Sequence, residues 1–387
     1  AITQQIYRSV AILKSVATKM INNQSQKSGN DSTNLQVQQM VVNVGIDEKR
    51  AREIYQEMNL QLRSDYTQEA FVIANNRVKE FEDRLMPKMA QVDGALGAFA
   101  DPSFQLLLVN AQKTAAATER PADYDLLSEL LIHRFKKGEN RIARAGISLA
   151  VDIVDKVADD ALLGLTVMHA VENFIPLTGD INQGLDVLNS LFGKILYSKL
   201  PVGQEWLDHL DILNAVRLNP LGGLKKIGQY YTEILPGYVD VGIKKNSENY
   251  NRAMEIIKEA ALPVNSLIDH DFNNDFVRIC TRDKSSFNEL TINVAKPYFG
   301  GVTYSQVKIS KEQINALESI YNLYSNDGEK KSLNIGRFIV EWDKRPNLKI
   351  LREWWDNISM SITTTSVGKV LAHSNAQRCD KTLPPLN

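Results

Sequence analysis

The sequence predicts a mainly α protein: a helical, bundle-like body with an N-terminal association strand and a small β-containing C-terminal region. Three observations predict it. Apolar residues recur at three- and four-residue spacings through most of residues 46–262, the period of helices that bury one face. A single strand-like run stands alone at 35–44, behind polar turn chemistry at 29–34. Between 276 and 309 the period shortens to that of strands. The expected organisation is a 1–45 segment of amphipathic helix, linker and association strand, a helical domain at 46–262, and an α+β domain at 263–387.

Taken in order, Ile2, Ile6, Val10, Leu13, Ala17, Met20 and Ile21 fall within one arc of about 100° if 2–21 is helical. Arg8, Lys14 and Lys19 make this amphipathic segment basic. Residues 22–33 read as a polar linker. Leu35, Val37, Met40, Val42 and Val44 then form the strand, with a bulge expected at Gln38-Gln39. A lone strand leaves its backbone groups unpaired, so it needs a distant strand or a copy of itself in another subunit.

Asp47 should cap a helix running to about residue 62, and Ser64 or Asp65 the next. In that second helix Phe71, Ala74, Val78, Phe81 and Leu85 repeat as a heptad seam, which Pro87 should interrupt. Asp101-Pro102 starts a helix at 103–117, followed by helices at 122–135, 139–155 and 159–174 with short, antiparallel connections. From Pro176 to Gly242, frequent Gly and Pro predict short helices and elaborate loops. A helix at 254–261 ends before Pro263. Strands follow at 276–280, 290–294 and 302–309, with Gly300-Gly301 as a turn. Ser310 and Gln313 make a capping box for a helix to about residue 324. Helices at 334–343, from Pro346 through Trp354-Trp355, and at 366–378 complete the chain before an extended tail.

The 387 residues carry 45 Lys and Arg against 46 Asp and Glu, which gives no basic surplus for a nucleic-acid partner. Cys280 and Cys379 form no CxxC, and their number fits a reducing compartment. Residues 2–21 lack the pattern of a secretory leader, and no apolar run approaches the roughly 20 residues that cross a bilayer. The expectation is a cytoplasmic protein.

Catalytic motifs are not evident. Gly222-Gly223-Leu224-Lys225-Lys226 has neither the glycine spacing nor the Ser/Thr of a phosphate loop. Residues 269–275 place acids at alternate positions like a calcium loop. However, Asn274 stands at its glycine position and Cys280 at its closing glutamate, so a polar capped loop is expected. Of the five histidines, His209 lies between Asp208 and Asp211 on what should be a surface helix. His373 with Asn375 is the one pair worth testing for chemistry, weighed against capping or an inter-helix hydrogen bond. No metal site or cofactor is expected, and no small-molecule ligand can be named.

Three stretches resemble an uncharacterised bacterial family. They are Asn30-Asp31-Ser32-Thr33-Asn34-Leu35-Gln36, Asp101-Pro102-Ser103-Phe104-Gln105 with Ala111-Gln112-Lys113, and Thr365-Ser366-Val367-Gly368 with His373 and Asn375. The resemblance spans about residues 29 to 378. It implies a bacterial cytoplasmic protein of a phage-defence or stress locus, and it brings no established catalytic residues.

The functional expectation is a self-assembling, non-enzymatic interaction or scaffold protein. Its homo-oligomer interface would hold Leu35, Val37, Met40, Val42 and Val44, with Ile6, Val10 and Leu13 of the first helix. One alternative is a hydrolase or nuclease with a site in the Gly-rich middle or near His373. The other is a peripheral effector that meets a membrane surface through residues 2–21.

Overall fold

The helical seam predicted from Phe71 to Leu85 lies on one uninterrupted helix of the computed structural model, which describes residues 46–59, 67–138, 140–298 and 301–386. The predicted amphipathic helix, linker and association strand, with Ile6, Val10, Leu13, Leu35, Val37, Met40, Val42 and Val44, lie outside the described residues.

Helix α1 (Glu48–Asn59) starts at Asp47, whose side chain accepts from the Arg50 N–H. Helix α2 (Gln68–Gln91) is capped by Thr67 rather than Ser64 or Asp65, and it continues through Pro87 rather than stopping there. Proline removes one backbone donor, but Leu85, Met86 and Met89 on either side are all fully buried. Their packing outweighs the lost bond. Asp101 and Pro102 open α3 (Pro102–Ala117) as predicted: the Asp101 carboxylate accepts from the Phe104 N–H at 2.8 Å.

Four further helices build the bundle: α4 (Pro121–Lys136), α5 (Arg141–Val151), α6 (Asp159–Asn173) and α7 (Ile181–Ile195). Helix α5 ends at Val151, short of the predicted residue 155. Then come α8 (Glu205–Ile212), β1 (Val216–Asn219), α9 (Ile227–Ile234), the one-turn α10 (Pro236–Val239) and β2 (Ile243–Lys244). The β-containing region comprises α11 (Glu248–Glu259), β3 (Leu267–His270), β4 (Asn273–Ile279), β5 (Thr291–Tyr298), β6 (Gly301–Lys308) and α12 (Lys311–Tyr321). The Ser310–Gln313 capping box is present. Helices α13 (Gly328–Asp343) and α14 (Pro346–Trp355), strand β7 (Ser361–Thr364) and α15 (Ser366–Cys379) follow. The fold is mainly α with a small β-containing region.

Three antiparallel arrangements account for the described strands. Strand β1 pairs with β7, β4 lies between β2 and β3, and β5 pairs with β6 alone. The β1–β7 ribbon and β2 carry no period-2 run long enough to read from sequence.

The larger apolar cluster runs from Ala51 to Ala376, and α15 sits inside it against α4, α5 and α6. A smaller cluster gathers Ile243, Ala253, Ile257, Val277, Phe287, Leu317 and Ile320 around the three-stranded sheet. The glycine-rich middle is the seam between them. A Cβ on Gly179 would lie 2.2 Å from the Cys280 carbonyl carbon, and one on Gly237 would lie 2.2 Å from the Thr281 oxygen. Each glycine can lie against the 280–282 backbone because it has no side chain of its own. The same seam holds Arg278, which has no exposed surface. Its guanidinium donates to Asp271 Oδ2 at 2.8 Å and to the Gly179 carbonyl at 2.9 Å. Residues 269–275, weighed above as a calcium loop, span the end of β3, the turn at 271–272 and the start of β4, and Asp271 is committed to Arg278.

Candidate functional site

Helix α15 is buried on nearly every side. A helix so placed must pair each of its polar side chains or lose the free energy of dehydrating it. Its sequence Leu371-Ala372-His373-Ser374-Asn375-Ala376-Gln377 does so with residues from α4 and α6, and the pairing brings three histidines together.

His373 Nε2 lies 3.0 Å from the Pro384 carbonyl oxygen, which can only accept, so Nε2 carries the proton. Its Nδ1 must then accept, and it does so from His169 Nε2 at 3.1 Å. His169 Nδ1 in turn accepts from Asn173 Nδ2 at 3.2 Å. Donation therefore runs one way, Asn173 to His169 to His373 to Pro384. Phe174 stands edge-on to His169, with centroids 5.7 Å apart.

A second chain runs alongside. The Ser374 hydroxyl donates to His133 Nδ1 at 3.0 Å, and His133 Nε2 donates to Gln377 Oε1 at 2.8 Å. Gln377 Nε2 donates to the Pro384 and Leu383 carbonyls at 3.1 and 3.3 Å. Asn375 faces the other way. Its amide donates to Thr166 Oγ1 at 2.8 Å and to the Tyr197 hydroxyl at 3.3 Å, and its oxygen accepts from Arg378 Nε at 2.8 Å.

Burial fixes the charge state of the histidines. It brings His169 down to about 3, helped by the neighbouring His373, and His373 down to about 4, helped by His133. His133 is also lowered by burial. All three imidazoles are neutral at pH 7, as the hydrogen-bond directions require. A neutral His–His chain can orient groups and pass a proton along its length. As a metal site it is spent, because the ring nitrogens already point at each other and at carbonyls. Among the described residues, no group of three or more His, Cys, Asp or Glu side chains is arranged to hold a metal ion.

The structure thus places the predicted pair His373 and Asn375 on one helix but in two different networks. Sequence reading left His133, His169 and Gln377 unconnected to them. One signal was available: His169 sits in Leu165-Thr166-Val167-Met168-His169-Ala170-Val171, a helix segment without an exposed face. A histidine there must have an internal partner. His209 lies apart, accepting the Ala158 N–H at 3.1 Å.

Both chains end on residues 382–386, which fold back over α15. Asp380 starts the return: its Oδ1 accepts from the Thr382 N–H and hydroxyl at 3.0 and 2.7 Å. Lys137 donates to the Leu386 carbonyl, Lys381 pairs with Glu129, and Lys194 pairs with Asp380 at 2.8 Å. Beside this strap runs a groove of about 490 Å³, floored by Phe174, Leu188 and Leu191 and edged by Leu177, Val187 and Pro384. No helix among the described residues is long and apolar enough to cross a membrane.

A family model, its description reading ":-like", matches residues 45–383. Comparison with curated proteins and with solved structures found no match to the chain.

Proposed function

We propose that this chain, which belongs to the uncharacterised family matched over residues 45–383, is a self-assembling, non-enzymatic interaction protein. The observation that carries this reading is the β5–β6 hairpin. Two eight-residue strands pair with each other, and among the described residues no other strand joins them. The Ile309 N–H donates to the Leu290 carbonyl at 3.3 Å, which sets the alternation of the ladder. By that alternation the backbone groups of Val302, Tyr304, Gln306 and Lys308 point away from β5. On the opposite edge the outward position at residue 297 is a proline, which has no N–H to offer. One edge is blunted and the other is open, and Gln306, Val307 and Lys308 are exposed along it.

An open edge is a template for strand addition, and a second copy supplies the same strand antiparallel about a twofold axis. Lys308, the one charged residue of β6, lies at its end, so twofold pairing about its middle opposes no like charges. The locked pairing of His373 and Asn375 adds support, since it gives both residues a structural task. Association through Leu35, Val37, Met40, Val42 and Val44, with Ile6, Val10 and Leu13, remains part of this reading. So do the cytoplasmic setting and the bacterial defence or stress locus that the sequence resemblance suggests.

The test is native mass by light scattering on three chains: intact, lacking residues 1–45, and intact with Gln306→Pro. The expected result is a defined oligomer for the intact chain and smaller species for both variants. Monomers throughout, at micromolar concentration, overturn the proposal.

A further inference from the structure

We propose that residues 243–324 are a module inserted into the helical body, that the body keeps its fold without them, and that copies of this chain associate through the module. The last step rests on the self-assembly reading and gives it a place in the chain. The first two do not depend on it.

The two cores divide along the sequence almost without exception. Among the described residues, every member of the smaller cluster, and every partly buried residue packed against it, falls between Ile243 and Tyr324. The larger cluster is drawn from residues 51–239 and 338–376, and Phe272 is its one buried member from the segment between. The chain thus leaves one core after Val239, builds another, and returns to the first. Helix α13, on the return, packs against α9 and α10, on the departure, so the body continues across the interruption.

The two crossings lie side by side. The Ser325 N–H donates to the Gly242 carbonyl at 2.8 Å, Lys331 pairs with Asp240 at 2.8 Å, and Asn334 Nδ2 donates to the Val239 carbonyl at 3.1 Å. A carbonyl bonded to the N–H three residues on closes a β-turn. Gly242 and Ser325 already share such a bond, so a dipeptide in place of 243–324 would complete the turn. Adjacent ends are what let a folded segment sit inside another fold at little cost.

Charge divides in the same way. The ion pairs Arg278–Asp271, Arg282–Glu289, Lys245–Asp269 and Arg252–Glu255 each have both members in the module. Removing it takes the buried Arg278 away together with its carboxylate, which avoids the stranded charge that makes a broken buried pair costly. On the body side Asp240 loses the Tyr321 hydroxyl but keeps Lys331. The other polar groups released are backbone. The Gly179 and Gly237 carbonyls accept from Arg278 at 2.9 and 3.4 Å, the Gly237 N–H donates to the Arg282 carbonyl at 2.7 Å, and the Asp240 carbonyl accepts from His270 Nε2 at 2.8 Å. Water serves such groups once they are exposed.

The open edge of β6 belongs wholly to the module. At the base of the hairpin, Leu290 and Ile309 join the smaller cluster, so the module's own core anchors both strands. A second copy that adds its β6 to this edge meets a surface to which the body contributes no strand.

The test replaces residues 243–324 by Asn-Gly, a dipeptide suited to a two-residue turn, in the otherwise full-length chain. The expected result is a cooperative urea transition, the His169 and His373 ring signals of the intact protein by NMR, and loss of the intact chain's oligomer mass. A folded variant that keeps the intact oligomer overturns the placement of association in the module. If the shortened chain does not fold, native-state hydrogen exchange of the intact chain decides. Amides of β4 and α12 that exchange together, through an opening that leaves α15 protected, support an inserted module. Exchange of all three only on global unfolding overturns it. A monomeric intact chain defeats the association step along with the reading it rests on. The fold of the shortened chain is read by urea and NMR without reference to mass, so the insertion fails or stands separately.

Discussion

The polar network around α15 and the one around Arg278 satisfy buried polarity in opposite ways. Around α15 the polar groups are neutral: three histidines, Ser374, Asn375 and Gln377, each donating to an acceptor that is itself uncharged. At the seam with the β-containing region the buried group is a full charge, Arg278, held by Asp271 and by carbonyls from the Gly179 and Gly237 loops. A neutral chain fixes direction, since each imidazole has one donor and one acceptor and the order cannot be reversed locally. A buried guanidinium fixes position instead, because its five donors draw in backbone from several segments at once. The setting of α15 is therefore specified by which way its hydrogen bonds run, and the seam by how closely its backbones approach.

The seam should break more sharply. Arg278→Ala leaves Asp271 and two loop carbonyls without their donor, and we expect a loss of about 3–5 kcal/mol in urea unfolding. A loss below about 1 kcal/mol would show that water replaces the guanidinium without cost. Gly179→Ala drives a methyl group into the Cys280 backbone and should cost about 3 kcal/mol, with no effect on the ring environment of His169 by NMR. In the bundle, His373→Ala removes an acceptor from His169 and a donor from Pro384 and opens a cavity. A loss of about 2–4 kcal/mol is expected, with faster exchange of the Thr382 and Leu383 amides.

The buried histidines also make stability depend on pH. His169 and His373 titrate at about 3 and about 4 in the folded chain, below the unfolded value of about 6.5. The unfolded state therefore binds protons first as pH falls. The stability these groups contribute is complete above about pH 6.5 and declines below it, by up to about 1.4 kcal/mol per pH unit for each histidine. Unfolding midpoints compared at pH 7 and pH 5.5, before most carboxylates titrate, should differ in the unsubstituted chain. The difference should shrink in His169→Gln, with His133, His270 and His373, also lowered by burial, supplying the remainder; an unchanged difference would place the titration elsewhere. The smallest expected effect is that of Gln306→Pro on stability. Its N–H has no partner within the hairpin, so a change within roughly 0.5 kcal/mol is expected, while native mass responds.

Much of the fold was legible because local signals were strong. Asp101-Pro102, the Ser310–Gln313 box and the Phe71–Leu85 seam each name an element by short-range chemistry, and the three strand runs between 276 and 309 appear as β4, β5 and β6. Pro87 misled because its local cost is outweighed by burial that only the tertiary structure supplies. The glycines from 179 to 242 suggested loops around a site, although Gly179 and Gly237 are explained by contact with residues about 45 to 100 positions away, which no local pattern records. His373 and Asn375 were visible as residue types on a helix. Their separation into two networks, and the inclusion of His133 and His169, depend on which helices surround α15.

The position of α15 also has a consequence for biosynthesis. Helices α4, α5 and α6 leave the ribosome long before the helix that fills the space between them, and β1 waits for β7 across a gap that Thr365 and Asn214, 151 residues apart, bracket. Until then the nascent bundle has an apolar furrow open to solvent and histidines without partners. Folding of the larger core is therefore expected to finish only after most of the chain has been translated, and a polypeptide that terminates before residue 366 would present that furrow to chaperones and proteases.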